Sequence, residues 1–153
     1  MTTLTRRASL GLMLATPALI LAARPAFARE PDIYQEGGIA IDGSDAVAYF
    51  DGNGPVAGSA EHQIDWNGAV WQFASAANAE KFSADPTAYA PQFGGYCAYA
   101  ASLGYIAPTM PEAWTLYDGK LYLNANLRAR ELWLQDVPGN IAKGEANWPG
   151  ILG

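Results

Sequence analysis

Asn67-Gly68 stands between two runs of alternating side chains, His62-Gln63-Ile64-Asp65-Trp66 and Ala69-Val70-Trp71-Gln72-Phe73. Asparagine and glycine both tolerate positive φ, so the pair is the strongest short-range hairpin signal a sequence offers. Asp118-Gly119 repeats the device between Trp114-Thr115-Leu116-Tyr117 and Lys120-Leu121-Tyr122-Leu123. Helical signals surround these hairpins. Ser75 can cap a helix running through Phe82 and stopped by Asp85-Pro86, and Pro86 can start a further short turn leading to Tyr89. Residues 96–103 have helix-compatible spacing and stop at Gly104. Asn124 or Asn126 can cap a helix containing Leu127, Glu131, Leu132 and Leu134 that ends before Pro138, and residues 140–147 read as a last short helix. Ile39-Ala40-Ile41 starts a strand in this reading, and Asp45-Ala46-Val47-Ala48-Tyr49-Phe50 is another, for its β-type residues. The expected fold is α+β: the hairpins pair into one small antiparallel sheet against several short helices.

With 153 residues the chain has room for one domain with a real core. Its first residues read as something else. Arg6-Arg7 precede an uncharged apolar run over 10–23, and Ala26-Phe27-Ala28 supplies the small residues that a signal peptidase reads. The run is too short to span a bilayer, which takes about 20 residues. Residues 1–28 are therefore expected to be a cleavable export signal. The arginine pair resembles a twin-arginine signal, and Ser9 leaves the ordinary secretory route open. The product would be periplasmic in a Gram-negative host, with no stable membrane anchor. Residues 29–38, polar with Pro31 and Gly37-Gly38, read as a flexible lead-in to a domain over 39–149. Without residues 1–28 the chain carries six basic against fifteen acidic residues, a net charge of −9 instead of −6. Such a balance is poorly suited to nucleic acid or an anionic membrane.

The single cysteine lies in the densest cluster of unusual residues, Pro91-Gln92-Phe93-Gly94-Gly95-Tyr96-Cys97-Ala98-Tyr99. Gly94-Gly95 permits a sharp turn, and the helix that follows would put Cys97 in its first turn, beside unpaired backbone N–H groups. That setting favours a reactive thiol, whereas packing beneath the turn favours an inert one. One cysteine cannot close an internal disulfide, although the expected compartment is oxidising. Burial, a ligand, or exchange with a thiol-bearing partner protein would each account for it.

Taken together, several pieces resemble a YHS domain: Asp45-Ala46-Val47-Ala48-Tyr49-Phe50, Trp71-Gln72-Phe73, Phe82 and Asp85-Pro86-Thr87-Ala88-Tyr89. The run Pro91 to Ala98, then Asp118-Gly119-Lys120-Leu121-Tyr122-Leu123-Asn124 and Asn147-Trp148-Pro149, is similar to an exported bacterial branch of that family. The likeness covers about residues 37–149 and implies a YHS/TRASH-like core with a C-terminal extension. In that branch some relatives carry selenocysteine at the position of Cys97, which implies metal ligation or redox chemistry there. The metal-binding cysteines of pump-type YHS and TRASH modules are replaced here by Ala74, Ser75, Ala76 and Ala77, so that site does not carry over.

Outside residues 1–28 the soft-ligand inventory is Cys97, His62 and Met110. Copper(I) can be held by two or three such groups, thiolate with thioether suiting it. One histidine is too few for a blue-copper centre, and no ligand-spaced cluster suggests structural zinc. Binding of a soft metal, copper first, through Cys97 is the leading expectation. Thiol-dependent redox chemistry at Cys97, or an accessory role without metal, is the alternative. A Cys97–His62 hydrolase would need a third group to orient the histidine, and none stands out. The glycine pair lacks a P-loop's lysine and hydroxyl, and the carboxylates show no acid/base pairing.

Overall fold

The structure, a computed structural model, describes residues 28–153. The export signal expected over residues 1–28 lies outside them apart from Ala28. Strands β1 (Gln35–Glu36) and β2 (Ile39–Ala40) pair antiparallel around Gly37-Gly38. Strands β3 (Ser59–Trp66) and β4 (Ala69–Phe73) form the hairpin that Asn67-Gly68 dictates, with φ of 49° and 78° at the two turn residues. A parallel bridge, Ile39 to Val70, joins the hairpins into one sheet of order β1-β2-β4-β3. Ala69, Trp71 and Phe73 alternate onto the buried face of β4, as a half-covered strand requires.

Residues 29–38 are not a flexible lead-in. Ile33 and Tyr34 are only 3% and 7% exposed, Tyr34 N donates to Gly94 O at 2.8 Å, and Glu30 N donates to Leu152 O at 2.8 Å. Burial of two large apolar side chains outweighs the polarity of their neighbours and draws the segment onto the core. The second hairpin, β5 (Trp114–Tyr117) and β6 (Lys120–Leu123), also forms, with Asp118 and Gly119 at φ of 50° and 72°. It does not join the first. In β4 one edge pairs with β3 and the other with β2, so β5-β6 remains a separate two-stranded sheet. The class is α+β, built on two small sheets.

The helices are short. Ser75 Oγ accepts from Asn78 N at 3.1 Å and caps α1 (Ala76–Ala84), and α2 (Pro86–Tyr89) follows the intervening Asp85. Then come α3 (Ala98–Leu103), α4 (Leu127–Leu134) and α5 (Val137–Asn147). Asn126, not Asn124, caps α4 by accepting from Ala129 N at 2.8 Å. The last helix starts at Val137, earlier than the expected 140, because Pro138 is suited to a first turn whose N–H groups are unpaired anyway. No helix among the described residues is long and apolar enough to cross a membrane.

Residues 45–50 depart from the expected strand: Ala48–Asp51 is a 3₁₀ turn. Asp45 decides it. Its buried Oδ1 accepts from Val47 N (2.9 Å) and Ala48 N (3.2 Å), while Oδ2 accepts from Ala74 N (2.9 Å) and Asn78 Nδ2 (2.8 Å). A local carboxylate thus takes the backbone donors that a strand would have offered to a neighbour.

Strand β6 is a wall between two cores. Leu121 and Leu123 face the larger one, with Trp71, Phe73, Phe82, Tyr49 and Ile33, while Tyr122 faces a smaller one with Phe93, Ala98, Ala101 and Trp133. Strand periodicity produces this division directly. It places the end of β6, and Asn124 just beyond it, against the start of α3.

Candidate functional site

Phe93, Gly94 and Gly95 have φ of 55°, 63° and 84°, three left-handed residues in a row, closed by Tyr96 N donating to Phe93 O at 3.0 Å. A side chain at Gly94 would run into the Asp32 carbonyl oxygen, so glycine is needed there for space as well as for angle. Phe93 has no such excuse and is held in place by packing. Its ring lies 6.1 Å from those of Tyr122 and Trp148, and a Cβ on Gly144 of α5 would come within 2.6 Å of it. The turn delivers the chain to Cys97, which caps α3 instead of lying within its first turn as expected.

Cys97 is 1% exposed, and the fold uses all its bonding groups. Its backbone N donates to Ala107 O at 3.0 Å and its carbonyl accepts from Ala101 N at 2.9 Å. Its Sγ accepts from Ala100 N at 3.4 Å and donates to Asn124 Oδ1 at 3.5 Å. The same Oδ1 accepts from Tyr99 N at 2.9 Å, which settles which end of the amide faces the helix. Asn124 Nδ2, on a residue 0% exposed, has no partner among the described residues. The other such atom is Trp133 Nε1, whose ring stacks on Tyr122 at 4.9 Å and packs with Ala98 and Ala101 of α3. Both residues with unmatched donors thus belong to the surroundings of the helix that Cys97 begins.

No family model matches the chain. Neither a curated protein nor a solved structure matches it.

The hydrogen-bond network around Cys97 contains neither His62 nor the Met110 side chain. His62 lies half-buried on β3, the outer strand of the larger sheet, where the register shifts between Ser59 and Gln63. Met110 reaches the network through its main chain, N donating to Asn124 O at 3.2 Å. No group of three or more His, Cys, Asp or Glu side chains gathers among the described residues. Asn124 is a functional candidate that the sequence offers only as a helix cap and as the last residue of the resembling run 118–124. A further sequence signal is redundancy: Asn126 two positions on can already do the capping.

Four tyrosines around these cores stay protonated at neutral pH. Burial, then the Asp42 and Glu36 carboxylates, hold Tyr34 well above the ordinary range; its hydroxyl donates to Asp42 Oδ1 at 3.2 Å. Burial pushes Tyr49 up to about 12, and raises Tyr96 and Tyr122 as well. None is suited to serve as a phenolate base. Two openings border the region. A cleft of about 480 Å³ is lined by Trp66, Asn67, Gln92, Trp148 and the Arg29–Asp32 ion pair. A groove of about 320 Å³ runs along Pro31, Tyr34, Tyr96, Ile106, Ala107 and Pro108. The groove is lined by Tyr96, the residue before Cys97, and by Ala107, whose carbonyl accepts from Cys97 N; Cys97 itself does not line it.

Proposed function

We propose that the chain is an exported YHS-type module acting in thiol-dependent redox chemistry, with Cys97 as the reacting sulfur. One observation carries this reading: Ala100 N–H is directed at Cys97 Sγ from 3.4 Å, beside the Asn124 amide. N–H donors stabilise negative charge on sulfur or an oxygen bound to it. A metal cation needs lone pairs instead, and the sulfur's remaining neighbour offers only one amide oxygen. With 1% exposure, a partner protein's thiol has no direct approach, and a small hydroperoxide is the oxidant that the least local opening would admit. The chain has no second cysteine, so the reducing thiol is external. Treating the full chain with hydrogen peroxide and trapping with dimedone tests the reading by intact mass. One adduct is expected on wild type and none on Cys97→Ser; equal labelling of the two would refute it.

A soft-ion reading has its own support. Met110 N bonds Asn124 O while Cys97 Sγ bonds the Asn124 side chain, so thiol and thioether residues flank one asparagine. Copper(I) held by Cys97 and Met110, without His62, would bind at about one equivalent. Cys97→Ser and Met110→Leu would each abolish binding, and His62→Gln would leave it intact. Equal uptake by wild type and Cys97→Ser excludes it.

A further inference from the structure

We propose that Asn124 is a positioning residue that holds the oxygen of a sulfenic acid formed on Cys97. The inference rests on the redox reading above and adds a residue and a chemical state to it. Two independent observations converge: a buried thiol 3.5 Å from an amide oxygen, and, on that same amide, a fully buried donor with no partner. Tyr99 N–H fixes the amide's orientation, so Nδ2 cannot be turned to face the helix without setting two donors against each other. An unmatched buried donor is unfavourable, and an acceptor arriving at the sulfur would relieve it.

The step is a two-electron oxidation. The Cys97 sulfur attacks the distal oxygen of a hydroperoxide, the S–O bond forms as the O–O bond breaks, and the thiol proton leaves with the departing oxygen as water or alcohol. In the reduced state the S–H donates to Asn124 Oδ1. In the oxidised state the new oxygen accepts from Asn124 Nδ2, and the amide thereby satisfies both ends. A small-molecule thiol then attacks the sulfenic sulfur and displaces water; a second such thiol releases Cys97 by forming a small disulfide. Trapping the sulfenic oxygen this way slows attack by a second peroxide, the route to irreversible sulfinic acid.

The test follows the full chain after one equivalent of hydrogen peroxide, in wild type and Asn124→Asp. Aspartate keeps the acceptor for Tyr99 N–H and deletes the Nδ2 donor. Dimedone added at intervals reads surviving sulfenic acid, and mass distinguishes its adduct from oxidised Met110. Wild type is expected to hold the adduct-forming state roughly tenfold longer than Asn124→Asp, the scale of one hydrogen bond. Equal lifetimes overturn the role of Asn124 while leaving the redox reading standing. Absence of any adduct in wild type overturns the redox reading itself, and this inference with it. Should Asn124→Asp fail to fold, side-chain amide NMR of wild type decides. An Asn124 NH₂ proton moves downfield on oxidation if Nδ2 donates to the new oxygen, and neither does so if the inference is wrong.

Discussion

Asp45 and the Cys97–Asn124 pair are both buried, both polar and both accept backbone N–H groups at the start of a helical segment, but they are satisfied to different degrees. Asp45 offers two oxygens and receives four N–H donors, two from its own turn, one from the main chain at Ala74 and one from Asn78 of α1. Nothing is left over. At Asn124 the oxygen receives a thiol and a backbone N–H, while the nitrogen finds no acceptor among the described residues. A complete network rigidifies the elements it joins, and a buried donor without a protein partner is open to a further acceptor. The difference separates a structural hub from a candidate reactive centre, although both look alike in burial and residue type.

The comparison can be broken most directly at the structural hub. Asp45→Ala strands four donors, two of them on the 45–48 turn, and is expected to cost about 3 kcal/mol or more by urea unfolding. A loss below 1 kcal/mol would mean that the hub holds nothing. On the other side, Gly144→Ala drives a methyl group against the Phe93 ring and should cost about 1–3 kcal/mol. Because Phe93 clamps the turn before Cys97, the same variant should react faster with iodoacetamide than wild type; an unchanged rate would detach the turn from the thiol.

Smaller effects sharpen the contrast. Tyr49 OH donates to Ser44 Oγ beside Asp45, and burial raises this tyrosine from 10.0 to about 12. A group raised in the folded state lends full stability below its unfolded value and loses it as pH climbs through the folded one. Wild type should therefore weaken between pH 10 and about 12 more steeply than Tyr49→Phe, whose starting stability is lower by about 1 kcal/mol. Parallel curves in an alkaline series of unfolding midpoints would assign the effect to other tyrosines. Cys97→Ser should change stability by about 1 kcal/mol or less, since serine also caps helices, while removing all sulfenic trapping. His62→Gln should alter neither.

Much of the fold was legible in the chain because its turns are chemically explicit. Asn67-Gly68 and Asp118-Gly119 fixed two hairpins, Ser75 placed α1, and Gly104 ended α3. These signals act over four or five residues, so no tertiary context was needed to read them. Residues 45–50 misled for the opposite reason. Their β-type side chains describe burial, which a 3₁₀ turn pinned by Asp45 achieves equally well. Ile33 and Tyr34 were hidden inside a polar segment and found their place only through a core assembled from distant residues.

At the site, the sequence by itself determined that there would be one sulfur at a helix start after a glycine turn. The tertiary structure alone decided what surrounds it. Asn124 is twenty-seven residues from Cys97 along the chain, and they meet because alternation on β6 turns Tyr122 toward the smaller core and brings the strand's end to α3. Hydrogen-bond accounting of this kind is non-local: whether a buried amide keeps a spare donor depends on every group folded around it, which no window of sequence contains.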